Sequence, residues 1–554
     1  MKPFLFISSL LFFVFSGIAQ QNKPLPKNWH LLDKDSTGYY GISLSKAYDF
    51  LKVKKLKSKK VLVAVIDSGV DTAHEDLKTI LWTNQKEIAG NGIDDDKNGY
   101  VDDIHGWNFI GGRDGRNVKE NTSEDIRLYH KLKAKYGSLI PDETSVSAQE
   151  KEDIELYKKI QQKLLSGIDA NDIYFFKKIL PPFKKGDEVI KKDLAKDEYN
   201  CSELENYVAV DVYAEKTKDI LTQFCMLNKT KEITNKDIIN QLEKDIKKAD
   251  AMDTPPADHR KEIVQDDENN INDRFYGNND IMAATAEHGT HCSGIIGAIR
   301  NNGKGMDGVA DNVSIMMIRA VPDGDEYDKD VANSIRYAVD NGAQIISMSF
   351  GKDFSPQKQW VDDAVKYAQK KGVLLVHAAG NDAKNTDSTD NFPKPLYADG
   401  KTRADNWIEV GASGDPADGG LTASFSNYGK NAVDIFAPGV NIYSSVPGGN
   451  KYAGFSGTSM ACPVVAGIAA LLLEYFPRLS ASQLKYVIEK SAVAPDIDVD
   501  IPGTDRLVKL SDISKTGGLV NAYQAVKLAS MLKPAKKITK DVLPRPKLTR
   551  KKKG

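Results

Sequence analysis

Lys60-Val61-Leu62-Val63-Ala64-Val65-Ile66-Asp67 is an apolar run that ends on an acid and is followed by Ser68-Gly69. A run without polar alternation fits a strand buried on both faces of a parallel sheet, with Asp67 at its carboxyl end. Val313 to Arg319, Ala343 to Phe350 and Val373 to Ala379 repeat the pattern. Between them, Asp328 to Asn341 and Lys358 to Lys371 carry apolar residues at helical spacing. Strand, helix, strand, helix in that order predicts an α/β fold with a doubly wound, mostly parallel sheet.

The sheet-bearing unit is read as residues 60–115 and 260–530. It includes an apolar helix over Ala461 to Tyr475, with Pro463 in its first turn. A second helix begins at Ser480, whose spacing to Gln483 is that of a capping box. Residues 116–259 are rich in Lys, Glu and Asp, with amphipathic patches such as Ser147 to Leu165, and predict a mainly helical charged insert. Residues 20–59 form a short lead-in, and the basic, Pro-containing residues 531–554 a disordered tail.

Lys2, the apolar run Phe4 to Phe15 and the small-residue site Gly17-Ile18-Ala19 make residues 1–19 a cleavable signal peptide. The run falls short of the ~20 residues a bilayer-spanning helix needs. A secreted or periplasmic protein without a transmembrane anchor is therefore expected. With 76 Lys and Arg against 77 Asp and Glu, the net charge is −1, which gives no reason to expect a nucleic-acid partner. The 4 cysteines are too few for a disulfide scaffold in 554 residues. Cys201 with Cys225, both inside the insert, is the pair to test first, whereas Cys292 and Cys462 read as small buried hydrophobes.

Three short motifs carry chemistry. Asp67-Ser68-Gly69-Val70-Asp71 ends a strand, where an acid can be structural or can bind a metal. His288-Gly289-Thr290-His291-Cys292-Ser293-Gly294 opens a helical run, and its two histidines together with Asp67 could hold a metal. Gly457-Thr458-Ser459-Met460-Ala461-Cys462-Pro463 places a serine between a turn and a helix start. Backbone N–H groups and the helix dipole can stabilise negative charge there.

Their chain order, Asp then His then Ser, separates this set from other serine-nucleophile arrangements. The strings VAVIDSGVD, HGTHCSGIIGA and GFSGTSMACPVVAGIAAL resemble the three signature segments of the subtilase family of serine proteases. Ser349-Phe350-Gly351 and Ala378-Ala379-Gly380-Asn381 resemble two further segments of it. The resemblance implies a secreted serine endopeptidase that acts on protein or peptide substrates as a monomer through an acyl-enzyme. Ser459 would be the nucleophile, His288 the general base and Asp67 its orienting carboxylate. It further implies an oxyanion hole from Asn381 and the Ser459 N–H, and a substrate-binding edge at Ser349, Phe350 and Gly351, with Ala379 and Gly380 beside it. His291 would then be a structural helix residue, and the lead-in is too short for an independent inhibitory domain, so that either folding needs no such chaperone or the lead-in packs as part of the mature enzyme. A catalytically idle peptide-binding protein on the same fold is the alternative from another class.

One element lies outside the resemblance. Asp94, Asp96, Asn98, Tyr100 and Asp102 occupy relative positions 1, 3, 5, 7 and 9 of a loop with Gly99 at 6, as in an EF-hand-type calcium loop. His105 stands where that loop carries its bidentate Glu, so the match is incomplete. Ca²⁺ is a structural ligand expected here, with solvated Asx turns as the other reading. Asp266 to Asp280 is a second stretch of the same composition.

Overall fold

A computed structural model describes residues 25–137, 146–165, 170–227, 231, 233–416 and 418–532. The signal-peptide segment 1–19 and nearly all of the 531–554 tail fall outside them.

The run that opens the fold forms β1 (Val61–Asp67), and β2 (Gly106–Asn108) follows it. The sheet continues with β3 (Val313–Arg319), β4 (Ile345–Met348), β5 (Leu374–Ala378), β6 (Trp407–Asp415), β7 (Asp418–Thr422) and β8 (Ile435–Pro438). They assemble in the order β2-β3-β1-β4-β5-β6-β7, with β8 also on β6. Every pairing is parallel except β6 with β7. Strand order reverses around β1, which lies between β3 and β4. In open α/β sheets the crevice at such a reversal, beyond the carboxyl ends of the strands, is where sites form.

The alternation along each strand divides the core into two layers. Val63 and Val65 of β1, Ile315 and Met317 of β3 and Val376 of β5 face one layer. That layer is closed by the helices Glu287–Gly297, Thr458–Tyr475, Ala481–Lys490 and Ala522–Ala529. Ala64, Ile66, Met316, Ile318 and Leu375 face the other, closed by Asp328–Asp340 and Lys358–Lys371. The doubly wound sheet is thus a helix–sheet–helix sandwich. Among the described residues Thr458–Tyr475 alone is long and apolar enough to cross a bilayer, and 89% of its apolar window is buried inside the protein.

Pro463 departs from expectation. The helix begins at Thr458, not near Pro463, so the proline sits beyond the first turn. A proline there has no N–H to give the carbonyl four residues earlier, which belongs to Ser459.

The insert is mainly helical over its described residues, with long helices at Glu124–Tyr136, Ala148–Leu165, Ala170–Leu194, Val212–Leu227 and Asn235–Asp253. It has its own apolar centre around Phe183, Tyr199, Leu221 and Leu242, stapled by a Cys201–Cys225 disulfide. A second cluster, around Tyr157 and Ile160, takes in Phe354 from the sheet-bearing body.

The lead-in packs into the body. Trp29 is fully buried, its Nε1 donating to the Val440 carbonyl at 3.1 Å, and the Ala522 N–H donates to the Ile42 carbonyl at 2.8 Å. Truncating a large buried aromatic costs about 3–5 kcal/mol. Trp29→Ala is therefore expected to lower the denaturant midpoint of the whole sheet-bearing body; an unchanged midpoint would show that the lead-in is dispensable to it.

Candidate active site

Asp67 is buried at the carboxyl end of β1, where its Oδ1 accepts the Ser68 N–H at 2.7 Å. His288 lies in the first turn of Glu287–Gly297, with Nδ1 2.8 and 3.0 Å from the two Asp67 oxygens. Gly289 makes this approach possible, since a Cβ there would collide with the Gly69 carbonyl and crowd the Asp67 side chain. Burial presses the His288 imidazole towards its neutral form, but the adjacent Asp67 charge and hydrogen bond outweigh it. The His288 pKa stands well above the ordinary imidazole value.

Ser459 is the second residue of Thr458–Tyr475. Its carbonyl, left without a helical partner by Pro463, instead accepts the Ser349 hydroxyl at 2.9 Å and the Cys292 thiol at 3.4 Å. The Ser459 hydroxyl donates to the Ser349 carbonyl at 3.1 Å, so it is turned towards the edge strand and no hydrogen bond joins it to His288. Such bonds often tighten only when substrate is present.

Asn381 leaves the turn after β5. Its Oδ1 accepts both the backbone N–H and the hydroxyl of Thr458 at 2.9 Å. A backbone donor demands an acceptor, which fixes the orientation of the carboxamide and leaves Nδ2 as a donor with no acceptor among the described residues. Gly380, at φ +100, allows that turn, because a Cβ there would collide with the Asn427 carboxamide.

The expected edge extends past the end of β4. Gly351 is exposed there, but Ser349 is buried, and Phe350 is 9% exposed with its side chain in the core layer. Phe350 thus offers no apolar wall at this edge. Its carbonyl is taken by His377 Nε2 at 2.8 Å, and His377 Nδ1 lies 2.9 Å from Glu409 Oε1. Ala379 is buried, its carbonyl held by Asn427 Nδ2 at 2.8 Å and Asn391 Nδ2 at 3.0 Å. His377, Asn391 and Asn427 went unnoticed in the sequence. Each acts on a backbone group distant in the chain, and only the His377 position within an apolar strand run hinted at a task.

A metal site built on both histidines does not form. His291 stacks on Phe455 with ring centroids 4.3 Å apart, bonds the Ala453 carbonyl through Nε2 at 3.1 Å, and is held neutral by burial, with its pKa lowered to about 3. Asp67 and His288 converge instead with the buried Cys292, whose Sγ lies 3.9 Å from His288 Nδ1. Burial pushes that thiol's pKa up, and it stays protonated.

In the loop from Asp94 to Asp102, Asp94 accepts the Asn98 and Gly99 N–H groups at 3.0 and 2.8 Å, while Asn98 Oδ1 accepts the Tyr100 N–H at 2.8 Å. Asp102 is not brought to this group. Its carboxylate binds the N–H groups of Gly90, Asn91 and Gly92 at 2.8 to 3.3 Å. Glu87, outside the expected set, takes its place, with oxygens of Glu87, Asp94 and Asp96 all within 4.8 Å of one another.

A serine at a helix start, an imidazole backed by a buried carboxylate and a free amide donor are thus carried by Thr458–Tyr475, by Glu287–Gly297 against the end of β1, and by the turn after β5. Residues 58–517 match the subtilase family, and the chain belongs to it. It is 41% identical to a thermophilic serine proteinase of Bacillus sp. (strain AK1) over 241 residues, 43% of this chain and 52% of that one. It is 41% identical to thermitase of Thermoactinomyces vulgaris over 245 residues, 43% of this chain and 74% of that one. The match thus spans only about half the length of the first relative. A solved protease structure from Pseudoalteromonas arctica PAMC 21717 aligns at 20% identity over 91% of this chain and 97% of that one, with a TM-score of 0.45.

Because only a neutral imidazole can accept a proton and the His288 pKa is raised, the rate at which a fluorophosphonate labels Ser459 is expected to climb through a midpoint above pH 6.5. A midpoint below that value would contradict the coupling to Asp67.

Proposed function

We propose that the protein is a secreted serine endopeptidase. Ser459 attacks the scissile carbonyl, His288 takes its proton and later returns it to the leaving amine, and Asp67 holds the imidazole tautomer. Asn381 Nδ2 and the Ser459 N–H receive the oxyanion. The reading rests above all on the Asp67–His288 pair, at 2.8 Å, next to a helix-start serine in a member of the subtilase family. The relatives named as serine proteinases support it. Against the idle-scaffold alternative speaks the presence of Asp67, His288, Asn381 and Ser459, with the first two already paired.

Ser459→Ala is expected to abolish casein hydrolysis and fluorophosphonate labelling with an unchanged thermal midpoint. Asn381→Ala should lower kcat by about 10²–10³ with little change in KM, the loss seen when one such donor is removed from a subtilisin. Casein hydrolysis by Ser459→Ala at the parent rate would overturn the assignment.

Export through the 1–19 segment is part of the proposal. The Cys201–Cys225 disulfide supports it, because such bonds persist in oxidising compartments. Ca²⁺ as a structural ion is another part. Hard carboxylate oxygens from Glu87, Asp94 and Asp96 suit that ion, and each of the three side chains is already oriented by backbone N–H groups. A bound Ca²⁺ would relieve the mutual repulsion of three carboxylates. EDTA is expected to lower the thermal midpoint and calcium to restore it, with Asp94→Asn abolishing the response; an EDTA-insensitive midpoint would remove the ion.

A further inference from the structure

The helical insert grips the chain immediately beyond the substrate-binding edge. β4 ends at Met348, so Ser349 to Gly351 have left the regular ladder and depend on other supports. The next residue, Lys352, is 4% exposed and supplies one. Its Nζ lies 2.8 Å from Glu124 Oε2 on the first insert helix, 3.0 Å from Asp328 and 2.8 Å from the Glu326 carbonyl. A buried ammonium is tolerated only with such partners, and removing one leaves it under-compensated. Asp353 follows, 2.6 Å from Lys163 on the second insert helix, and Phe354 is buried in the insert's own apolar cluster. Three consecutive residues are thus held by the insert, two through ion pairs and one through apolar contact.

The grip extends sideways. Arg127, paired with Glu124 at 2.6 Å, donates to the Asp325 and Glu326 carbonyls at 3.0 and 3.3 Å. The backbone of Lys352 exchanges hydrogen bonds of 2.9 and 2.8 Å with Phe392. Neighbouring Asn391 holds the Ala379 carbonyl beside the Asn381 turn. Lys352 is thus tied to the insert through its side chain and to Phe392 through its backbone.

We propose that the insert is a positioning element for the substrate edge, acting through Glu124 on Lys352, so that extended peptides are bound productively while the chemistry at Ser459 is independent of it. This rests on the peptidase reading and on peptide pairing along Ser349–Gly351. An extended peptide added to an edge gains its affinity from main-chain hydrogen bonds, which require that edge to keep its register. A substrate too short to reach the edge is indifferent to it.

The test uses the full chain with two variants, Glu124→Gln at the buried link and Lys163→Gln at the partly exposed one. Each is assayed on a single-residue ester and on a longer peptide that spans the edge, with fluorophosphonate labelling as a measure of the nucleophile. In Glu124→Gln the kcat/KM advantage of the peptide over the ester is expected to fall about tenfold, chiefly through KM, with ester turnover and labelling unchanged. Lys163→Gln should show the same split more weakly, and it guards against a folding defect at the buried site. Peptide and ester falling together in both variants, or the peptide advantage persisting in both, would overturn the proposal. A parent protein with no peptide advantage would refute the edge pairing and the proposal with it. A parent that neither turns over ester nor takes the label would refute the peptidase reading itself.

Discussion

The site depends on one close approach, of the Glu287–Gly297 helix to the end of β1. A hydrogen bond of 2.8 Å between His288 and Asp67 requires backbone almost against backbone, and Gly289 is the residue that allows it. The approach is stable because neither element can move alone. β1 is clamped by parallel strands on both sides and by apolar layers on both faces, while the buried face of the helix packs into one of those layers. Side-chain placement at the site is therefore a consequence of core packing, and an imidazole that stays near a buried carboxylate acquires its raised basicity from the same constraint.

Ser459 is placed by a comparable economy. Pro463 deprives the Ser459 carbonyl of its helical donor, and a bare carbonyl inside a protein must find another. Ser349 supplies it from beyond the end of β4, so the helix that carries Ser459 and the chain leaving that strand are joined at this residue. The Asn381 carboxamide completes the join from β5, with its oxygen on Thr458 and its nitrogen left to the cleft. Three elements meet at the start of one helix, each satisfying a polar group that the others leave open.

The insert adds a charged counterpart. Lys352 and Glu124 are buried, and Arg127 half-buried, where a helical subdomain meets the sheet-bearing body, so each of these charges depends on its partners. The apolar contact of Phe354 supplies the adhesion. Together they make the insert continuous with the groove it borders, although its helices carry none of the groups at the centre of the site.

The sequence by itself determined the strands β1, β3, β4 and β5, the two-sided burial of the sheet, the helical nature of the insert and the strand-end and helix-start settings of Asp67 and Ser459. Each of these is written in short-range patterns: an apolar run, a helical spacing, an acid at a strand end, a serine before an apolar helix. What the tertiary structure decided are pairings between residues far apart in the chain. His377 under the Phe350 carbonyl, Asn391 and Asn427 on the Ala379 carbonyl, Glu124 on Lys352, and Glu87 in place of Asp102 leave no local trace. An amide or carboxylate reads the same in a sequence whether it faces water or a group that only the folded chain brings beside it. Phe350 makes the same point in reverse, because its apolar side chain was legible but the direction it turns was set by the layer that had room for it.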